Sequence, residues 1–140
     1  MDAFLAKPIE RSKLEKFMKE YVRKDQDAHF NYAEFLEALG GDNEMVEKMI
    51  AVSRADMKEK LEALGKAVKD GDGRQISVLA HYIKGAALTA RYKTMAGIAS
   101  NMEVMAKGDV LDTMEENLSA LNNEWGNVLQ VLNQVFQAEP

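Results

Sequence analysis

Proline occurs only at Pro8 and Pro140, so nothing between the two ends of this chain forbids a helix. Glycine falls mostly where an apolar rhythm breaks, at Gly40-Gly41, at Gly71 and Gly73, and at Gly108, as helix stops should. Between these breaks the apolar residues recur at spacings of three and four. Apart from a short stretch at the extreme start, nowhere do they alternate strictly as in a half-buried strand. The pattern predicts an all-α fold, an up-down four-helix bundle with additional N-terminal helices.

Ser12 and Glu15 form a capping box that opens a helix over about 13–23, with Leu14, Phe17, Met18, Tyr21 and Val22 on its apolar face. The polar residues that follow read as a linker. Asn31 and Glu34 start a second, short helix that runs through Leu39 and ends at Gly40. Asp42 caps a helix over 43–69, striped by Val46, Ile50, Met57, Leu61, Leu64 and Val68. Further helices are expected over about 73–91 and 94–107, the latter turning Met95, Ile98, Ala99, Met102 and Met105 inward. Gly108-Asp109 supplies a stop and a new cap for a last helix over about 110–137. Its apolar residues Leu111, Met114, Leu118, Leu121, Trp125, Val128, Leu132 and Val135 trace the seam of a bundle helix. The methionines at 45, 49, 57, 95, 102, 105 and 114 lie on or beside these stripes and read as core filler, as does Trp125.

Composition narrows the function. The 140 residues suit one domain with a real core. The absence of cysteine removes disulfides, a thiol nucleophile and sulfur-ligated zinc. Two histidines, His29 and His81, are too few for a site built from several. A net charge of −5 without a basic block argues against a nucleic-acid partner. The longest apolar runs are too short to span a membrane or to serve as a signal peptide. A cytoplasmic module with no cofactor of its own is the class that remains.

One histidine lies on the unexpected side of its helix. On a wheel of about 100° per residue, Ile76, Leu79, Ala80, Ile83, Ala87 and Ala90 share the face that must be buried. His81 then points roughly 160° away from the centre of that face, toward solvent. Gly85, one turn later, shares its direction, and Val78 and Leu88 roughly do so. Lys84 flanks the histidine on a stem long enough to bring its ammonium near the ring. An exposed mid-helix glycine costs about 1 kcal/mol relative to alanine, and apolar side chains stand where charge is expected. A docking protein accounts for both features, since the missing side chain admits its backbone and the apolar pair supplies contact. The alternative is an ordinary surface histidine beside a tolerated glycine. Nothing in the sequence supplies the cleft or orienting partner that a general base needs, or the further ligands that a metal needs. A neutral imidazole is nevertheless a good nucleophile near its pKa of roughly 6.5. Phosphoryl transfer asks mainly for positioning and charge neutralisation, which an exposed histidine with an adjacent lysine begins to supply.

His81-Tyr82-Ile83-Lys84-Gly85 resembles the H-x-[LI]-K-G core of histidine-containing phosphotransfer (HPt) domains. Phe35-Leu36-Glu37-Ala38-Leu39-Gly40-Gly41-Asp42 is similar to the family's opening segment, Gly71-Asp72 to its turn before the histidine helix, and Met102-Glu103 to a common Leu-Glu pair. One departure is Arg91, which stands where the family usually has glycine and reads as a surface residue. The resemblance implies a bundle that takes a phosphoryl group from a receiver domain's aspartyl phosphate and passes it to another receiver, without kinase activity of its own. It further implies that His81 is phosphorylated at Nε2, that Lys84 stabilises the phosphoryl oxygens, and that Gly85 clears space for the partner. Val78, Tyr82, Leu88 and Thr89 would form the partner-binding surface. No metal belongs to this chain, and Mg²⁺ is expected in the partner receiver.

Asp2-Ala3-Phe4-Leu5-Ala6-Lys7-Pro8-Ile9, with Leu14 and Phe17, resembles the end of a receiver domain. The implied organisation is a receiver remnant over 1–24, a linker over 25–30 and an HPt bundle over 31–140, as at the end of a hybrid sensor histidine kinase, a kind of parent compatible with a membrane anchor elsewhere. The helix over 13–23 is expected to pack on the bundle or to pair with a second copy. The competing readings are a non-catalytic helical interaction module and, last, an enzyme using His81 as a general base.

Overall fold

The structure is a computed structural model that describes residues 27–136. The expected receiver-like segment over 1–24 and its helix over 13–23 lie outside the described residues. Among those described there are five helices and no strand: α1 (Tyr32–Ala38), α2 (Asn43–Asp70), α3 (Gly73–Ala90), α4 (Lys93–Lys107) and α5 (Met114–Phe136). The four longer helices form the expected bundle, each packed on its neighbour in sequence, with α5 closing against α2.

Local chemistry sets the starts. The side chains of Asn31, Asp42 and Asp72 accept from the backbone N–H groups of Glu34, Met45 and Gln75 at 3.0, 3.1 and 3.2 Å, each satisfying a donor that the first turn leaves unpaired. Four helices end in a left-handed turn, at Gly40, Gly71, Arg91 (φ 71°) and Asp109 (φ 62°), and Gly41 after the first is left-handed as well. At each, the next N–H reaches back to the helix; from Tyr92 it donates to Ala87 at 2.8 Å, and from Val110 to Met105 at 2.8 Å. This corrects the expected cap at Asp109. That residue closes α4 instead of opening α5, so the last helix starts at Met114 and Leu111 lies outside it. Arg91 is also more than a surface residue. A left-handed backbone costs a non-glycine residue about 1 kcal/mol, and its guanidinium offsets this by donating to the carbonyls of Leu88 and Thr89 at 3.1 and 3.0 Å. It also pairs with Glu34 of α1 at 3.0 Å.

The core contains the stripes read from the sequence, with two corrections. Met57, Met95, Met102 and Met114 are buried, but Met45 and Met49 are exposed on α2. Alanines dominate where α3 meets α4. Ala80, Ala87 and Ala90 of α3 and Ala96, Ala99 and Ala106 of α4 are all buried, and their small size lets the two helices come close. This pair has the most extensive contact in the molecule.

Residues 27–30, expected as part of a linker, are packed against the bundle. Thr94 donates to the carbonyl of Ala28 at 2.9 Å, and Asn31 to that of Arg91 at 3.1 Å. Phe30 is buried among Tyr32, Phe35, Tyr92 and Phe136, at centroid distances between 5.8 and 6.4 Å. Tyr92, wholly buried, shares a hydrogen bond with Ser53 at 2.7 Å, and burial pushes its phenol up to about 12. The phenylalanine was not legible as core because it follows a polar run and belongs to no helical stripe. Phe30→Ala should destabilise the bundle by about 3–5 kcal/mol through lost transfer energy and the cavity left behind. Urea denaturation checks this, and a midpoint within error of wild type would contradict the packing described.

Candidate functional site

The alanine seam determines what stands beside His81. With Ala80 and Ile83 turned into the core, His81 emerges on the outer side of α3, its side chain 68% exposed. Close approach of α4 brings Glu103 beneath it. Glu103 flanks the buried stripe of Met95, Ala99 and Met102 and is itself only 4% exposed. Its Oε2 lies 2.9 Å from His81 Nδ1 and 2.9 Å from Lys107 Nζ, and its Oε1 lies 2.8 Å from Lys84 Nζ. One nearly buried carboxylate therefore joins three side chains. Lys84 stands one turn after His81 on α3, and Lys107 one turn after Glu103 on α4.

The electrostatics follow from this geometry. The ammonium of Lys84, then that of Lys107, outweigh the effect of burial, and His81 adds to them, so the Glu103 carboxyl is held down at about 2. It is an anion throughout the physiological range. A carboxylate can only accept hydrogen bonds, so Nδ1 must carry a hydrogen to bond to it. In the neutral ring this places the lone pair on Nε2, the nitrogen directed away from Glu103. The orienting partner that the sequence did not reveal is thus present, and the expectation of an unpartnered imidazole is corrected. Lys84 is near the ring as expected, with its ammonium engaged by Glu103.

On the other side of His81, α2 and α3 bound a groove of about 470 Å³. Met49, Val52, Tyr82, Gly85, Ala86 and Thr89 line it, and His81 sits at its edge. Tyr82 donates to Asp56 at 2.8 Å, and the ammonium of Lys60, which also pairs with Asp56, lies 4.6 Å from the Tyr82 ring centroid. A side chain added at Gly85 would meet nothing within 4 Å. The same is true of Gly65, Gly97 and Gly126, so it is position beside the histidine that distinguishes Gly85, not openness. Val78 and Leu88 are exposed. Val78 borders a separate recess with Ser77 and Lys107, and Leu88 lies toward the Arg91 end of α3. The structure therefore brings His81, Tyr82, Gly85 and Thr89 together on one groove and sets Val78 and Leu88 apart from it. Val52 and Met49, which the sequence reading did not select, complete the apolar wall.

The second histidine offers an internal comparison. His29 Nδ1 lies 2.6 Å from Oε2 of Glu124, which is also buried and accepts from Asn127 at 3.1 Å. Among the described residues neither lysine nor arginine pairs with Glu124, and the His29 side chain is far less exposed, at 29%. The same ring-to-carboxylate contact thus occurs twice, once fastening the segment before α1 to α5 and once beside cations at the surface. Among the described residues, no group of three or more His, Cys, Asp or Glu side chains is placed to hold a metal ion, and no helix is long and apolar enough to cross a membrane.

A four-helix bundle that presents an oriented, solvent-facing histidine beside lysine defines a class of phosphotransfer module. The family model described as Hpt domain matches residues 48–131, more than half of the chain. The chain belongs to that family, which implies histidine phosphotransfer within a phosphorelay and receiver domains as interaction partners. No curated protein and no solved structure matched.

The Glu103 cluster has a consequence for acid stability. The folded-state pKa of Glu103 lies below its ordinary value of 4.5, so its contribution is complete above that value and is lost as pH falls toward about 2. Glu103→Gln should lower the urea midpoint at pH 7, and the difference from wild type should shrink between pH 4.5 and 2. A difference that stayed constant over that window would contradict the ion cluster.

Proposed function

We propose that His81 is the phosphoacceptor of a relay, taking a phosphoryl group from the aspartyl phosphate of one receiver domain and passing it to an aspartate of another. The observation that carries this reading is the combination of an exposed ring with an Nδ1 fixed on the buried Glu103. In the forward step the Nε2 lone pair attacks phosphorus while the bond from phosphorus to the aspartyl oxygen breaks. The departing electron pair stays on the aspartate as a carboxylate. The Nδ1 hydrogen stays in place, and the ring takes up a positive charge that the adjacent Glu103 carboxylate stabilises. No proton has to move, so the reverse step onto a second receiver needs only a fresh docking event. Lys84 supplies positive charge near the phosphoryl oxygens, and Mg²⁺ comes with the receiver.

The groove between α2 and α3 gives the receiver a place to bind. Tyr82 and Thr89 contribute surface inside that groove, the exposed Val78 and Leu88 can add contact only outside it, and Gly85 leaves room for the partner's backbone beside the reacting atoms. On the same reading, residues 1–24 are the end of a receiver domain, and the chain belongs to a hybrid kinase and works in the cytoplasm.

Incubation with a phosphorylated receiver should label wild-type protein with an acid-labile, alkali-stable phosphate. His81→Gln should abolish the label while leaving the helical circular dichroism in place, because the side chain lies off the core. Retention of the label in His81→Gln would overturn the assignment.

A further inference from the structure

We propose that Lys107 is a second catalytic cation, the one that moves onto the phosphoryl group when His81 is phosphorylated. The inference rests on the reading of His81 as phosphoacceptor and goes beyond it by assigning a role on α4.

Three observations carry it. The first is proximity. Lys107 Nζ and His81 Nδ1 touch the same oxygen of Glu103 at 2.9 Å each, so twice that contact, 5.8 Å, is the largest separation they can have. Lys84 Nζ sits on the other oxygen. The second is freedom. Lys107 is 65% exposed and Lys84 28%, so Lys107 can swing away from Glu103 without leaving a buried cavity, whereas the Lys84 stem is partly covered. The third is charge. Glu103 carries −1, the two lysines +2 and the neutral ring nothing, which leaves a surplus of +1 around the histidine. Transfer adds a phosphoryl dianion and a ring cation, a net −1, and the cluster becomes neutral. Once the ring is cationic it satisfies Oε2 of Glu103 more strongly, and the ammonium that shares this oxygen is the one released toward the phosphoryl oxygens. Lys84 keeps its own oxygen, so the buried carboxylate is never left without a cation.

Phosphoramidate tests this without a receiver, since its phosphoryl group bonds to Nε2 as the bond to nitrogen breaks and ammonia leaves. Wild type, Lys107→Met and Lys107→Arg are compared for the initial rate of His81 labelling, with His81→Gln as the blank. An ammonium that reaches the phosphoryl oxygens lowers the energy of the charge gathered there, so Lys107→Met should label roughly tenfold more slowly. Lys107→Arg should restore most of the rate, and raised ionic strength should slow wild type more than Lys107→Met. Nitrogen-15 spectra of the lysine ammonium groups give a readout that needs no variant to fold, because the Lys107 signal should shift when wild type is phosphorylated. A wild-type rate in Lys107→Met, or a shift confined to Lys84, overturns the role of Lys107. Failure of wild type itself to label overturns the phosphoacceptor reading instead.

Discussion

A carboxylate taken almost wholly out of water is the constraint around which the rest of the site is arranged. A buried charge is tolerated only when partners replace its lost hydration, and Glu103 has three, contributed by two helices. Two of them, His81 and Lys84, cannot be supplied unless α3 and α4 lie close and in one register. The alanines between those helices are therefore part of the electrostatics, because a larger side chain at Ala80 or Ala99 would push Glu103 away from both His81 and Lys84. In return, the ion cluster fixes the relative position of two helices whose apolar contact is made of small, interchangeable side chains. Packing sets the distance and charge sets the register.

The fold was largely legible in the sequence because its determinants are local. Caps at Asn31, Asp42 and Asp72, stops at Gly40 and Gly71, and spacings of three and four each act within one or two turns of helix. What escaped was less local. Asp109 looked like a cap, and only the hydrogen bond from Val110 back to Met105 shows that it closes the helix before it. Met45 and Met49 lie on the early turns of α2, whose outer side joins the groove, so periodicity alone placed them in the core. Phe30 sits in no periodic stripe, and it is buried because aromatic rings from α1, the α3–α4 turn and α5 converge on it. The site divides in the same way. An outward histidine with its lysine and glycine can be read from one helix. The carboxylate beneath it cannot, since which glutamate of α4 meets which residue of α3 depends on the crossing of two helices. The only local hint was Glu103 at the margin of a buried stripe with Lys107 four residues on.

Arg91 shows how a departure from the usual residue can be accommodated without altering the backbone. The left-handed turn after α3 is required to lead Tyr92 into the core and to start α4 at Lys93. A glycine would adopt it freely. The arginine adopts it at a cost and recovers that cost through its own side chain, which closes the last carbonyls of α3 and reaches Glu34, already bonded to Lys93 at 3.1 Å. These two cations hold the Glu34 carboxyl below its ordinary value, with Lys93 the larger influence. The turn that a glycine would leave flexible thereby becomes the point at which α1, α3 and α4 are tied together, and Phe35 of α1 is held at the end of the groove beside His81.

The surroundings of His81 are consequently two-sided. Toward α4 lie charges, arranged so that a carboxylate orients the ring and lysines exceed it by one positive charge. Toward α2 lies a mostly apolar channel in which Tyr82 is already bonded to Asp56, itself paired with Lys60. The two sides answer different physical needs. Apolar contact gives a visiting protein affinity with little demand on angle, and so tolerates several partners of similar shape. In the transfer proposed above, charge near the ring nitrogen contributes most when the phosphoryl group is in flight between two atoms, and it does so for any donor or acceptor. In the relay proposed above, this separation lets the module release one partner and receive another while holding the same group on the same nitrogen.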